Sequence, residues 1–139
     1  MRVVIDTNCL LASIPPRSPS YALYQAFQRE RFIWVVSNEI LTEYAEKLTD
    51  IYSQTTADLV LTILTVAPNT LFQEAYFKWQ LIENDPDDRS VGPNKFVDVA
   101  VAAGVDYLVT NDTHFSILKS IDLPKVTVVS LHEFLTLID

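Results

Sequence analysis

The sequence predicts an α/β fold in which a central, mostly parallel twisted sheet is flanked by layers of helices. Three observations predict it. Short apolar runs without clean alternation recur along the chain, as strands covered on both faces require. Each run ends abruptly in polar residues: "RVVI" meets "DTN", "FIWVV" meets "SNE" and "DYLVT" meets "ND". Between the runs lie segments with apolar residues at helical spacing, the alternation that strand–helix–strand units produce.

The first strand is expected at residues 2–5, closed by Asp6. "PSYALYQAFQRE" (19–30) sets Leu23, Ala26 and Phe27 on one stripe and predicts a helix. "FIWVV" (32–36) is the second strand. "NEILTEYAEKL" (38–48) repeats the helical stripe with Ile40, Leu41, Tyr44, Ala45 and Leu48. "TTADLVLTILTVA" (55–67) and "LFQEAYFKWQLI" (71–82) predict two more helices, parted by the Pro68-Asn69 break. "ENDPDDRSVGPN" (83–94) carries two prolines, a glycine and four acids and reads as a surface loop, in which Asp85, Asp87 and Asp88 suit turns. "NKFVDVAVAAG" (94–104) is a short helix closed by a glycine, apolar on every side, with Asp98 in its middle. Strands at 106–110 and 126–130 follow, each leading into a short helix, "THFSIL" and "LHEFL". No internal repeat or low-complexity segment interrupts the pattern, and one domain spanning 1–139 is expected.

Composition narrows the chemistry. With 139 residues, 49% hydrophobic and 20% charged, the chain can bury an ordinary core, and disorder is not expected. Its two glycines, Gly92 and Gly104, exclude a glycine-rich phosphate cradle and with it dinucleotide and P-loop chemistry. The lone Cys9 can form neither an internal disulfide nor a thiolate metal cluster; it suits a reducing cytoplasm and packs as a small apolar side chain. "LVLTILTVA" (59–67) is too short to span a bilayer, and "MRVVID" shows no signal-peptide pattern. A net charge of −8 disfavours nonspecific attraction to phosphate backbones. The acidity is concentrated: six of the eleven Asp residues lie between Asp85 and Asp112.

In an open parallel sheet, ligands bind beyond the carboxyl ends of the strands. Asp6 follows the first strand directly, and Asn111 and Asp112 follow "DYLVT", so these emerge on one rim. Glu43 lies one turn into the helix that leaves the second strand, on the flank of its apolar stripe. Asp98 lies near the start of the helix that leads into "DYLVT". A carboxylate surrounded by apolar neighbours needs a charged or strongly hydrogen-bonding partner. Four converging carboxylates, Asp6, Glu43, Asp98 and Asp112, would repel one another unless a cation neutralised them. With no paired His or Cys available, an all-oxygen set favours Mg²⁺ or Mn²⁺, one ion or two, over zinc. Such ions activate water for phosphoryl displacement.

Through these residues the chain resembles the PIN-domain nucleases, many of which are VapC-like ribonuclease toxins of toxin–antitoxin pairs. The resemblance runs through "VVIDTN", the acid in "SNEILTEYAEKL", and "DPDD…NKFVDVAVAAGVDYLVTND", and it covers nearly the whole chain. It implies a PIN-like three-layer fold and metal-dependent cleavage of RNA phosphodiester bonds. It also implies a homodimer and a cognate antitoxin. By motif, Asp6, Glu43 and Asp98 match the central metal-binding acids and Asp112 a fourth; Asn8 and Thr110 match polar positions that orient them. One departure stands out. "RSVGP" (89–93) separates "DPDD" from "NKF", which usually adjoin, and this alters the surroundings of Asp85, Asp87 and Asp88 and the substrate entrance.

Each site residue also has a purely structural reading. Asp6 can cap the turn after its strand, Glu43 can pair with Lys47 at i,i+4, Asp98 can pair with Lys95 or an arginine, and Asp112 can cap "THFSIL". His114 is expected to be a solvated loop residue and His132 structural. Lys95, Arg89, Lys119 and Lys125 are the basic residues nearest the rim, and Lys95 and Arg89 are expected to hold substrate phosphates. Two other functions fit parts of the pattern. A haloacid-dehalogenase-like phosphatase also places an Asp after its first strand, but wants a second Asp where this chain has Asn8. A non-catalytic PIN-like module for RNA or protein binding would be signalled by a missing acid, and all four are present.

Overall fold

Arg2–Ile5 forms β1, the central strand of a five-stranded sheet. Its Val3, Val4 and Ile5 are all fully buried. Successive strand side chains point to opposite faces, so both faces of the sheet are covered. The computed structural model describes residues 1–83 and 92–139. Along them β1 is followed by α1 (Thr7–Ser13), α2 (Tyr21–Gln28), β2 (Ile33–Val36), α3 (Asn38–Ile51), α4 (Gln54–Val66) and β3 (Thr70–Phe72). Then come α5 (Asn94–Ala103), β4 (Tyr107–Val109), a 3-10 helix (Thr113–Ser120), β5 (Val128–Val129) and α6 (Leu131–Leu137). The strand order is β3-β2-β1-β4-β5, with every neighbouring pair parallel. The α/β class expected from the sequence, a parallel sheet flanked by helices, is the architecture observed.

The order places a topological switch between β1 and β4. From β1 the chain builds outward through β2 and β3, then returns to add β4 and β5 on the other side. Such a switch opens a crevice at the carboxyl ends of the two central strands. Helix ends are fixed by local chemistry. Ser37 and Ser53 accept the amides of Ile40 and Thr56 at the starts of α3 and α4, and Ser130 with Glu133 forms a capping box on α6. Gly104 closes α5 in the left-handed conformation, at φ 59°, as the sequence predicted. Among the described residues, no helix is long and apolar enough to cross a membrane.

An aromatic cluster of Phe27, Phe32, Trp34, Tyr44 and Phe134 joins α2, β2, α3 and α6. Tyr44 is fully buried, and its hydroxyl has two partners: it donates to the Ile5 carbonyl and accepts from Trp34 Nε1 at 3.3 Å. The last carbonyl of β1 is thereby fixed immediately ahead of Asp6.

Two elements differ from expectation. The seven-residue α1 has too short an apolar run to show periodicity; its start is set by Asp6, which caps it. The helix expected at 71–82 does not form. Its first residues instead become β3, because the outer edge of β2 needs backbone partners: Trp34 N donates to Asn69 O and Gln73 N to Val36 O, both at 2.9 Å. Beyond β3 the segment is tied down by hydrogen bonds between side chains and backbone. Glu74 accepts the Asn38 amide at 2.9 Å, the Trp79 amide donates to Asp98 Oδ1 at 3.0 Å, and Asn94 holds Ile82 by both its amide (3.1 Å) and its carbonyl (2.7 Å). Asp85, Asp87 and Asp88, expected in turns, and Arg89, expected to hold phosphate, lie outside the described residues.

Removing the Tyr44 hydroxyl leaves a buried carbonyl and a buried indole N–H without their partner, which costs about 1–3 kcal/mol. Tyr44→Phe is therefore expected to lower the urea unfolding midpoint without changing the slope of the transition. A midpoint equal to wild type would show that the hydroxyl does not anchor the end of β1.

Candidate active site

The site forms where β1 and β4 end. Asp6 is buried, and both of its carboxylate oxygens are engaged: Oδ1 accepts the Thr7 amide and Oδ2 the Thr110 hydroxyl, each at 2.8 Å. Thr110 Oγ1 in turn accepts the Asp112 amide at 3.0 Å, so one hydroxyl ties the ends of both central strands together. Helix α3 brings Glu43 to the same place. Its Oε2 accepts the Thr7 hydroxyl, and its Oε1 lies 2.8 Å from Lys95 Nζ, which reaches across from the first turn of α5. Asp6, Thr7, Asn8, Glu43, Lys47 and Phe96 line a cavity of about 210 Å³ beside this network.

The electrostatics are those of a carboxylate kept where it would rather be neutral. Burial pushes the Asp6 pKa up, the hydrogen bonds from Thr110 and Thr7 pull it down, and the charges of Glu43 and Asp112 push it up again. Three acids thus act on one point. Asp112 also caps the 3-10 helix, accepting the His114 amide at 2.9 Å, and meets His114 Nδ1 at 2.9 Å on an exposed side chain. The capping readings of Asp6 and Asp112 both hold, and neither takes these acids away from the rim. Cys9 is fully buried beneath Asp6; burial and the nearby charge push its thiol up to about 12, so it carries no thiolate chemistry.

Asp98 stands apart from the cavity. Its partner is the Trp79 amide, supplied by the irregular segment that replaced the expected helix, and its charged neighbours are Glu39 and Lys78. Burial raises its pKa, the Trp79 amide and Lys78 lower it, and Glu39 raises it. Full convergence of four acids is therefore corrected to three that share a field and one turned toward a backbone amide. Among the described residues, no three His, Cys, Asp or Glu side chains gather closely enough to hold one ion at once. A magnesium-type ion does not need three; it keeps several waters and uses one or two carboxylates together with substrate oxygens. Asp6 and Glu43 fit that requirement, and the Asp112 charge adds to the attraction for a cation.

Several expectations shift with the geometry. Glu43 pairs with Lys95 and not with Lys47, which is exposed at the cavity mouth. Lys95 is buried inside the site, also donating to the Gly92 carbonyl at 3.1 Å, instead of lying out on the rim to meet phosphate. Asn8 lines the cavity but makes no hydrogen bond to the acids among the described residues; Thr7 does the orienting in its place. Lys119 and Lys125 line a separate cavity beside Val126 and Val128, at the start of β5, the opposite end of the sheet from the site. Thr7 was legible only as the middle of "DTN", and Lys47 only as the i+4 neighbour of Glu43.

A group whose pKa is raised by folding contributes stability that is present below its ordinary value and lost as pH rises through the raised one. Asp6 thus costs stability at neutral pH. Without divalent cations, Asp6→Asn is expected to melt above wild type at neutral pH. The gap should close as pH is lowered into the carboxylate range. Melting curves that coincide at neutral pH, or a gap that widens on acidification, would contradict the assigned burial.

No curated protein sequence is significantly similar to the chain. Solved structures are similar in fold. VapBC2 from Rickettsia felis, crystallised with a DNA fragment from its promoter, superposes with a TM-score of 0.59 at 17% identity, covering 94% of this chain and 98% of that one. VapC20 from Mycobacterium tuberculosis, a toxin that cleaves the sarcin–ricin loop, gives 0.58 at 17% identity, covering 82% and 92%. Residues 2–114, most of the chain and both strand ends of the site, match the PIN domain. The chain belongs to the PIN domain family.

Proposed function

We propose that this chain is a Mg²⁺- or Mn²⁺-dependent endoribonuclease and the toxin of a toxin–antitoxin pair. The observation that supports the reading most is the Asp6 carboxylate, buried at the switch point of a parallel sheet with Glu43 and Asp112 adding negative charge. Structural needs alone would not place a buried acid among other acids. Membership of the PIN domain family and likeness in fold to a toxin that cleaves the sarcin–ricin loop support the same reading.

Asp6 and Glu43 would hold the ion, with Asp112 supporting it. Asp98, outside the cavity with one oxygen engaged by the Trp79 amide, would not bind that ion directly. A bound ion supplies an acidified water and charge neutralisation at a phosphoryl oxygen. The chain's own residues do the rest. Thr110 and Thr7 keep Asp6 oriented with its lone pairs toward the cavity, Thr7 fixes Glu43, and exposed Lys47 stands where a phosphate would approach. In a chain of net charge −8, RNA affinity should depend on the metal. The exposed side chains of Phe72, Tyr76 and Phe77, beside the edge strand β3, suit a cognate antitoxin or a second copy, and VapBC2 is a structural neighbour.

Cleavage of RNA in Mg²⁺ or Mn²⁺ tests the proposal. EDTA should abolish both cleavage and RNA binding. Asp6→Asn should lower the rate on the order of 100-fold or more, and Thr110→Val, which removes only the hydroxyl that holds Asp6, about 10-fold. Cleavage that persists in EDTA, or in Asp6→Asn at the wild-type rate, would overturn it.

A further inference from the structure

We infer that Lys95 is a resident counter-cation for the carboxylate cluster, occupying Glu43 until a divalent ion displaces it. The inference rests on the proposal that Asp6 and Glu43 hold such an ion. Its ground is where this lysine sits. The Lys95 side chain is 3% exposed, an unusual state for an ammonium, and its Nζ lies 2.8 Å from Glu43 Oε1. The Gly92 carbonyl accepts a second hydrogen bond from it at 3.1 Å, and the Phe96 ring lies 5.4 Å away.

Helix stability does not explain the placement. Lys95 is the second residue of α5, and a cation in the first turn of a helix opposes the macrodipole. No acid stands in that turn to balance it. Among the described residues its ion pair is with Glu43 of α3, the acid whose other oxygen is engaged by Thr7. Both oxygens of Glu43 are therefore occupied, one by an ammonium. A divalent ion binding between Asp6 and Glu43 would meet that positive charge within a few ångströms, so ammonium and metal compete for one carboxylate. Lys95 thus lets the acids stay close together without metal and sets how much cation is needed to load the site.

Calorimetric titration with MnCl₂, together with thermal melts in EDTA and in MnCl₂, tests this. The proteins compared are wild type, Asp6→Asn, Lys95→Met and the charge-matched double variant Lys95→Met/Glu43→Gln. Lys95→Met should bind Mn²⁺ at least tenfold more tightly than wild type, melt lower in EDTA and recover in MnCl₂. The double variant, with both charges removed, should melt near wild type in EDTA and lose the gain in affinity. Equal or weaker Mn²⁺ binding by Lys95→Met overturns the inference, as does a Lys95→Met chain that stays unfolded at saturating MnCl₂. If wild type binds Mn²⁺ and Asp6→Asn does not, the metal site survives that result and Lys95 alone is misassigned. If wild type and Asp6→Asn show no Mn²⁺ binding at this site, the proposed metal chemistry falls, and the inference with it.

Discussion

A carboxylate that cannot escape its surroundings organises this molecule. Asp6 sits where β1 ends, walled in by a sheet buried on both faces, and its two oxygens are held by the Thr7 amide and the Thr110 hydroxyl. Glu43 and Asp112 press further negative charge on it. Nothing in the packing of the core calls for an acid there. Once it is there, the rest of the rim reads as a response: hydroxyls from Thr7 and Thr110 that satisfy the oxygens, and an ammonium from Lys95 that answers Glu43.

The scaffold around this point is cross-linked by side-chain hydrogen bonds. Tyr44 spans from α3 to the last carbonyl of β1, so the helix that carries Glu43 is tied directly to the strand that carries Asp6. Thr110 joins the end of β4 to the same acid. Two strand ends and one helix are thereby joined by hydrogen bonds from Tyr44, Thr110 and Thr7. These bonds hold the acids that share a field with Asp6 in place.

Much of this was legible in the sequence. Apolar runs that stop at "DTN", "SNE" and "ND" located three parallel strand ends, and parallel topology alone brought Asp6 and Asp112 to one rim. Glu43 followed from helical phase. Edge pairing escaped a local reading: "LFQEAYFKWQLI" has helical spacing, yet the outer edge of β2 took its first residues as β3. That single substitution of strand for helix supplied the Trp79 amide that engages Asp98, and so decided the surroundings of an acid nineteen residues away. Lys95 escaped for a similar reason. A lysine early in a helix normally reads as solvated, and only the packing of α5 on α3 shows that its charge is spent inside the site. Thr7 and Lys47 lay beside flagged residues, but their roles depend on side-chain direction, which spacing does not specify.

The central claim is that Asp6, Glu43 and Asp112 form one coupled cluster that a divalent cation neutralises. The most direct test is a carbon-13 NMR titration of the Asp6 carboxyl, with and without Mg²⁺. Without the ion, Asp6 should titrate above the ordinary aspartate range, and Glu43→Gln should bring it down. Added Mg²⁺ should move its titration to below that range. An Asp6 that titrates like a solvated aspartate, indifferent to both Glu43 and Mg²⁺, would contradict the account.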